Sequence, residues 1–466
     1  MSILSAVRDG IHSLLGGNLN VRARYDAAQT TPENTRHWGQ STNLDAILDN
    51  SSGTRLTLRK RARYEVKNNS YAYGIVDTVS NDTVGIGPKL QVMSTRPELN
   101  TQIELAFSQW CKSVGFAEKL RLMKKSKTRD GEIFALKITN KNLKGVTLDF
   151  MPIEAEMVDT PIIKNTKNGT GWNDGIQVDT YGYPKRYFVY DEHPNGPNAS
   201  LSAGKPVNAS SVIHWFKKDR AGQIRGVPEI TPALPLFAFL RRYTLAVVAA
   251  AELAAEYTMF LKTQQGVLDL GEVQAGEAFA TFESERGMVT TLPDGWDINQ
   301  LRAEQPTTTY PDFKHELINE IARCLNIPYN IAACNSSSYN YASGRLDHQT
   351  YYKSIRIEQE HCEDIILDNL FASWFAEYRL IKGLTAEMFN HSWMWEGHEH
   401  IDPLKEANAQ TKRLDANTTT LKDEYARLGK DWEEQLKQRA KEKQLIRDLK
   451  IDVTDDDGGD NAEDKK

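Results

Sequence analysis

The stretch Cys334–Tyr352, CNSSSYNYASGRLDHQTYY, begins as an uncharged tract of Asn, Ser and Tyr and passes without a break into a helical pattern. Side chains of this kind touch a phosphate backbone or water without holding on, whereas an arginine cluster would hold. Gly344 is read as the residue that lets the chain turn, and Arg345 is the nearest cation. The residues alone fit a nucleic-acid contact, a catalytic loop or an ordinary surface turn, so the flanking chain has to decide.

Upstream, a helix is expected over 313–325, ending before Pro328. Downstream, a helix is expected over 343–375, about 48 Å long at 1.5 Å per residue. Ile355, Cys362, Ile366, Leu370 and Trp374 share one face at helical spacing. Further upstream, Pro232 and Pro235 break the chain. A strong helix is then expected from 235 to about 261, centred on LAVVAAAELAAE. Alanine is the best helix former, and it leaves little bulk, so a neighbouring helix can approach closely. Residues 263–309 lack long periodicity and hold strand-like pieces such as GMVTTL.

Residues 131–216 change toward a period of two, with β-branched and aromatic runs bounded by Gly, Pro and Asn. Tyr181-Gly182 reads as a hairpin turn between two of them. Before this β-rich layer come helices near 55–66, 71–83 and 101–114, and a polar arm over 1–60. After Trp395 the chain is helical and charged to Lys450, and the tail IDVTDDDGGDNAEDKK has the composition of disordered chain. The fold class is therefore α+β.

The 466 residues leave room for about three average domains, and 40% hydrophobic with 26% charged residues suits a soluble chain with a sizeable core. A formal charge of −6 argues against gripping nucleic acid by bulk electrostatics. Cys111, Cys324, Cys334 and Cys362 form no CxxC pair and are expected as buried apolar thiols in a reducing compartment. The most apolar stretch, 245–255, contains Glu252 and is far shorter than a membrane span, and the N-terminus lacks a signal-peptide core, so neither secretion nor a membrane is expected.

Catalytic motifs are absent: no GxxxxGK[ST], HExxH or GxSxG occurs. VGIGPKL (84–90) lacks a third glycine and reads as a turn ending a helix. Asp130 and Glu132 read as a charged turn beside Gly131, because carboxylates two apart on extended chain do not face one substrate. The cations Arg55–Arg63 read as a solvated face or as partners of nearby acids. His391, His398 and His400 with Glu396 or Glu399 are the best metal candidate, yet match no ligand spacing. Trp393 and Trp395 are expected to dock this strand into a core.

Seven segments, in order, resemble the lambda-type family of tailed-phage portal proteins: RARYEVKNNSYAYGIVDTVSNDTVGIG, DGEIF, IQVDTYGYPKRYFVY, VIHWFKKDRAGQIRGVPEI, EIARCLNIPYNI, SYNYASGR and WEGHEHIDPLKEANA. The resemblance implies a portal-type fold with a β-rich wing layer, long stem and wing helices, a small clip and a helical crown, assembling as a cyclic ring. On this chain it places an N-terminal arm at 1–60, the wing at 61–234, a first stem helix at 235–262, the clip at 263–310 and a second stem helix at 311–327. A tunnel loop at 328–342, a long wing helix and return strand at 343–394, the crown at 395–450 and the acidic tail at 451–466 complete it.

The resemblance further implies a twelve-subunit ring at one vertex of the phage head, assembled in the host cytoplasm. Double-stranded DNA would be packaged and ejected through its channel. The terminase large subunit, the major capsid protein or scaffold and the head-tail connector would be partners, and no cofactor or catalysis would be involved. Asn335, Ser336, Ser337, Ser338, Tyr339, Asn340 and Arg345 would face DNA, and Ala249, Ala250, Ala251 and Ala254 would pack the stems. Twelve helices at ~10 Å spacing enclose a circle about 38 Å across, which leaves a bore of roughly 28 Å inside the helix bodies. A duplex with grooves ~8 Å deep is roughly 20 Å wide and would pass. The competing reading is a metal-dependent hydrolase or nuclease built on His391–His400.

Overall fold

The computed structural model describes residues 43–160, 172–197, 204–256, 260–263, 296–299, 309–337, 339–384, 390–397 and 403–449. Most of the arm, the GMVTTL piece, His398, Glu399, His400 and the acidic tail therefore lie outside the described residues. The chain divides into residues 1–49 and 50–466. In the first unit the described helical part is the single turn Ala46–Asp49.

The second unit begins with helices α1 (Ser52–Asn68) and α2 (Ser70–Val84), so the first helix starts inside the expected arm. Asn69 separates them: its side chain accepts from the Tyr71 and Ala72 amides and caps α2. Gly85, at φ 53°, closes α2, as the VGIGPKL turn predicts. Strand β1 (Lys89–Met93) follows, then α3 (Pro97–Val114), which opens on its proline, and α4 (Phe116–Asp130).

The β-layer forms two antiparallel sheets. Strands β2 (Glu132–Thr139), β3 (Leu148–Ile153) and β8 (Val212–Phe216) make one, in the order β3-β2-β8. Strands β4 (Trp172–Asn173), β5 (Ile176–Val178), β6 (Pro184–Tyr190) and β7 (Gly204–Asn208) make the other, in sequence order. The β5–β6 turn carries Gly182 at φ 85°, where the sequence places the hairpin.

Beyond the sheets come α5 (Leu234–Glu256) and the antiparallel pair β9 (Phe260–Thr263) and β10 (Trp296–Asn299). Then follow α6 (Tyr310–Arg323), α7 (Tyr329–Ala333) and α8 (Tyr341–Cys362). The long helix expected over 343–375 is α8 joined by a π-helical turn, Glu363–Leu367, to α9 (Asp368–Lys382). Strand β11 (Asn390–Met394) returns to pair with β1, Lys89 opposite Met394. Helices α10 (Pro403–Asp415), α11 (Leu421–Arg427) and α12 (Trp432–Asp448) end the described chain.

Three apolar clusters hold the second unit together. The first is aromatic: Phe107 meets Trp374 at 5.1 Å, Trp110 at 5.3 Å, Phe371 at 5.6 Å and Trp393 at 5.7 Å between ring centroids. The stripe from Ile355 to Trp374 is buried as its spacing predicts, and Trp393 docks β11 as expected. The second cluster joins α1, α2 and α8 to the first turns of α5 and the second half of α6. The third lies between the two sheets, around Phe134, Ile176 and Tyr187. Each such side chain contributes about 1.5–3 kcal/mol by leaving water.

Candidate functional site

Helix α5 carries Pro235 in its first turn, where the missing amide costs nothing. Helices α5 and α6 form an antiparallel pair. Phe237 and Leu240 share the second cluster with Leu317, Ile318 and Ile321, while Tyr243 meets Phe313 at 4.9 Å and Tyr310 at 5.5 Å. Past this base, Val247 is buried but the described residues cover little else of the helix. Phe239 is 57% exposed, Leu245 62% and Val248 48%. Ala249 is exposed, Ala250 and Ala251 are half-buried, and Ala254 lies on the same helix.

This corrects one expectation. The apolar segment extends toward the N-terminus through LPLFAFL, so Thr231–Glu252, with a mean hydropathy of 1.4, is long and apolar enough to cross a bilayer. Only 28% of that segment is buried in the chain.

The polar tract hangs between α7 and α8. Cys334 turns the chain at φ 49°, and the Asn335 amide donates to the Asn330 carbonyl at 3.0 Å. Asn335 Oδ1 accepts from the Ser337 amide at 3.0 Å, and Asn340 Oδ1 caps α8 by accepting from the Ser343 amide at 2.9 Å. Asn335, Ser336, Ser337, Asn340 and Arg345 are exposed together; Ser338 is outside the described residues. Tyr339 is different. It is half-buried, and burial together with the neighbouring Asp347 pushes its phenol up. Gly344 does not turn the chain: it lies inside α8, and a Cβ there would stand 3.3 Å from the Tyr339 ring. The absent side chain makes room for the tyrosine. The frame is firm, since Tyr351 donates to Asp82 at 2.7 Å and the His348 ring pairs with the Asn330 side chain at 3.0 Å.

Asp130 and Glu132 are not a charged turn. Glu132 is fully buried and accepts from Arg225 Nη2 at 2.7 Å, Arg59 Nη2 at 3.0 Å, His214 Nε2 at 3.1 Å and the Gly226 amide at 2.9 Å. Burial alone would raise its carboxyl. Arg225 and the His214 hydrogen bond outweigh burial and hold it well below the usual range. His214 is pushed down by burial and by Arg225, so it donates to Glu132 as a neutral ring.

Arg225 also reaches the carbonyls of Val158 at 2.9 Å and Ala155 at 3.0 Å. Two glycines allow this approach: a Cβ on Gly226 would lie 2.1 Å from the Gly131 carbonyl oxygen, and one on Gly131, at φ 91°, 2.4 Å from Val227. Beside this hub, Lys127 bridges Glu229 at 2.5 Å and Glu358 at 2.7 Å, so α4 is tied both to the connection between β8 and α5 and to α8. Among the cations at 55–63, Arg55 and Arg59 are buried and Arg63 pairs with Asp130 at 2.9 Å, whereas Lys60 and Arg61 are exposed. The run thus divides between the two roles expected of it. The sequence signal for the hub was the pair DGE and RGVPE, whose spacing of about ninety residues hid the contact.

His391 Nε2 donates to Asp368 Oδ1, 3.0 Å away, and the ring rests on Phe371. Among the described residues one group could gather a metal, Glu154, Glu156 and His193. Arg63 already supplies positive charge there, 3.0 Å from Glu156 and 3.6 Å from Glu154. Of the cysteines, Cys362 is buried and Cys111 and Cys324 half-buried, with burial raising the Cys324 thiol to about 11. Cys334 is exposed, contrary to expectation, because it forms the left-handed turn at the loop.

The chain is thus a mixed helix-and-sheet protein with a packed β-layer, a helix pair with an exposed apolar flank and an exposed polar loop. A family model described as phage portal protein, lambda family, matches residues 33–359. The chain belongs to that family. It is 24% identical over 410 residues to a probable portal protein of Halomonas phage phiHAP-1, covering 80% of this chain and 77% of that one. It is 20% identical over 330 residues to portal protein B of Escherichia phage lambda, covering 63% and 62%. A solved structure titled the neck of an empty GTA particle computed with C6 symmetry is similar at a TM-score of 0.48 and 12% identity, covering 81% of this chain and 93% of that one.

Proposed function

We propose that this portal-family chain closes into a ring, normally of twelve copies, at one vertex of the phage head, and that double-stranded DNA enters and leaves through its bore. The observation that carries this reading is the uncovered apolar flank of α5. A helix with its base in the core and its flank of Phe239, Leu245 and Val248 in water needs a neighbour to cover it. Further copies of the same helix supply that cover, and the small residues Ala249, Ala250, Ala251 and Ala254 suit close approach. In this reading the helix faces sister subunits rather than lipid.

The exposed Asn335, Ser336, Ser337, Asn340 and Arg345, with Ser338 and the half-buried Tyr339 among them, form the loop that meets DNA. Weak neutral contacts and an overall charge of −6 keep the duplex from being trapped, because each phosphate neutralised by a fixed cation would add salt-dependent affinity. The protein is a virion component that takes the terminase large subunit, the capsid or scaffold protein and the head-tail connector as partners, assembled in the host cytoplasm. It is a conduit and docking platform, without catalysis of its own. Light-scattering mass of the purified chain tests the ring. The reading expects about twelve times the subunit mass; a monomer at every concentration would overturn it.

A further inference from the structure

The two flanks of α5 differ in chemistry. At ~100° per residue, the side carrying Leu234, Ala238 and Arg241 lies about 160° around the axis from the side carrying Leu236, Leu240 and Tyr243. The first side meets α1 and the second meets α6.

Between α1 and α5 runs an open groove of about 560 Å³, lined by Lys60, Arg61, Tyr64, Glu65, Thr231 and Ala238 among others. Its lip is basic and exposed at Lys60 and Arg61, and Arg241 reaches in to pair with Glu65 at 2.9 Å. Among the described residues, Glu65 Oε2, Thr231 Oγ1 and Arg241 Nε are buried there with no hydrogen-bond partner. Buried polar atoms are almost always paired, so three unpaired ones beside the groove set it apart from the rest of the described core.

The outer face of α6 has the opposite character. Asp312, Glu316 and Glu320 are exposed at successive helical turns, with exposed Asn319 between the last two. Arg323, the cation at the end of this face, reaches Asn326 of its own chain at 2.6 Å.

We infer that the acidic face of α6 in one copy docks into the basic α1–α5 groove of the next, in a head-to-tail contact. This rests on the ring reading above and specifies which two faces meet. Unlike faces on roughly opposite sides of one helix generate a heterologous interface, the kind that closes into rings. Complementary charge fixes its register and rejects wrong pairings.

The test uses two full-length variants. One carries Lys60→Glu and Arg61→Glu, and the other Glu316→Lys and Glu320→Lys. All four positions are exposed, so unchanged thermal melts serve as the check on folding. Each variant alone is expected to need at least tenfold more protein than wild type for half-assembly, by native mass. An equal mixture should assemble as wild type does, because alternating subunits restore every acid–base contact. Variants that assemble normally alone, or a mixture that stays as dispersed as its parts, would overturn the inference. A wild-type chain that never assembles would instead remove the ring reading beneath it.

Discussion

At the scale of single residues, Glu132 is the side chain on which the β-layer depends. It is the shared acceptor for Arg59 on α1, His214 on β8 and Arg225 in the connection to α5. Replacing Glu132 with Gln leaves Arg225 buried without its carboxylate and Arg59 with Glu156 alone, 3.3 Å away, at an expected cost of about 3–5 kcal/mol, read as a lowered unfolding midpoint. Its pH dependence has a definite sign. His214 titrates below its ordinary value of 6.5 in the folded chain, and Glu132 well below 4.5. In both cases the unfolded chain binds more protons through the window between the two values. The contribution of these two groups is therefore full above about pH 6.5 and falls as the medium is acidified, first through His214 and then below 4.5 through Glu132. Below pH 4.5 the Glu132→Gln variant should show a shallower acid slope in a pH series of melts, because the carboxyl that titrates there is gone.

At the scale of elements, α5 and the polar loop carry the functional reading. Substituting Ala249→Leu with Ala250→Leu adds bulk to the uncovered stretch of α5. Ring assembly, read by native mass, should fail or become incomplete while the monomer melts unchanged, since overpacking acts only where copies meet. Unaltered rings would remove α5 from the interface. Deleting Ser336–Asn340 should leave rings intact and reduce DNA packaging in a reconstituted motor assay. Loss of rings instead would make the loop an assembly element.

These elements were also the most legible in the sequence. The stripe from Ile355 to Trp374, the alanine-rich helix and the hairpin at Gly182 are local patterns, and local periodicity is what a sequence displays. The hub was not legible, because Arg59, Glu132 and Arg225 are brought together by topology. Asp130 and Glu132 looked solvated for the same reason: their partners lie on other elements. Gly344 was misread because its role, leaving space for Tyr339, belongs to side-chain packing rather than to backbone conformation.

At the scale of the whole molecule, most of the described chain buries what a soluble fold should bury, while α5 keeps an apolar flank in water and α6 an acidic one. Both observations are explained together if the chain is one sector of a cylinder. The same geometry demands a bore wide enough for duplex DNA. End-on electron micrographs of the purified full-length protein measure this directly. Class averages should show a closed annulus of about twelve sectors around an open hole of roughly 28 Å, narrowed by inward loops, as helices packed at ~10 Å dictate. Particles that stay single, or a disc with a filled centre, would contradict the account.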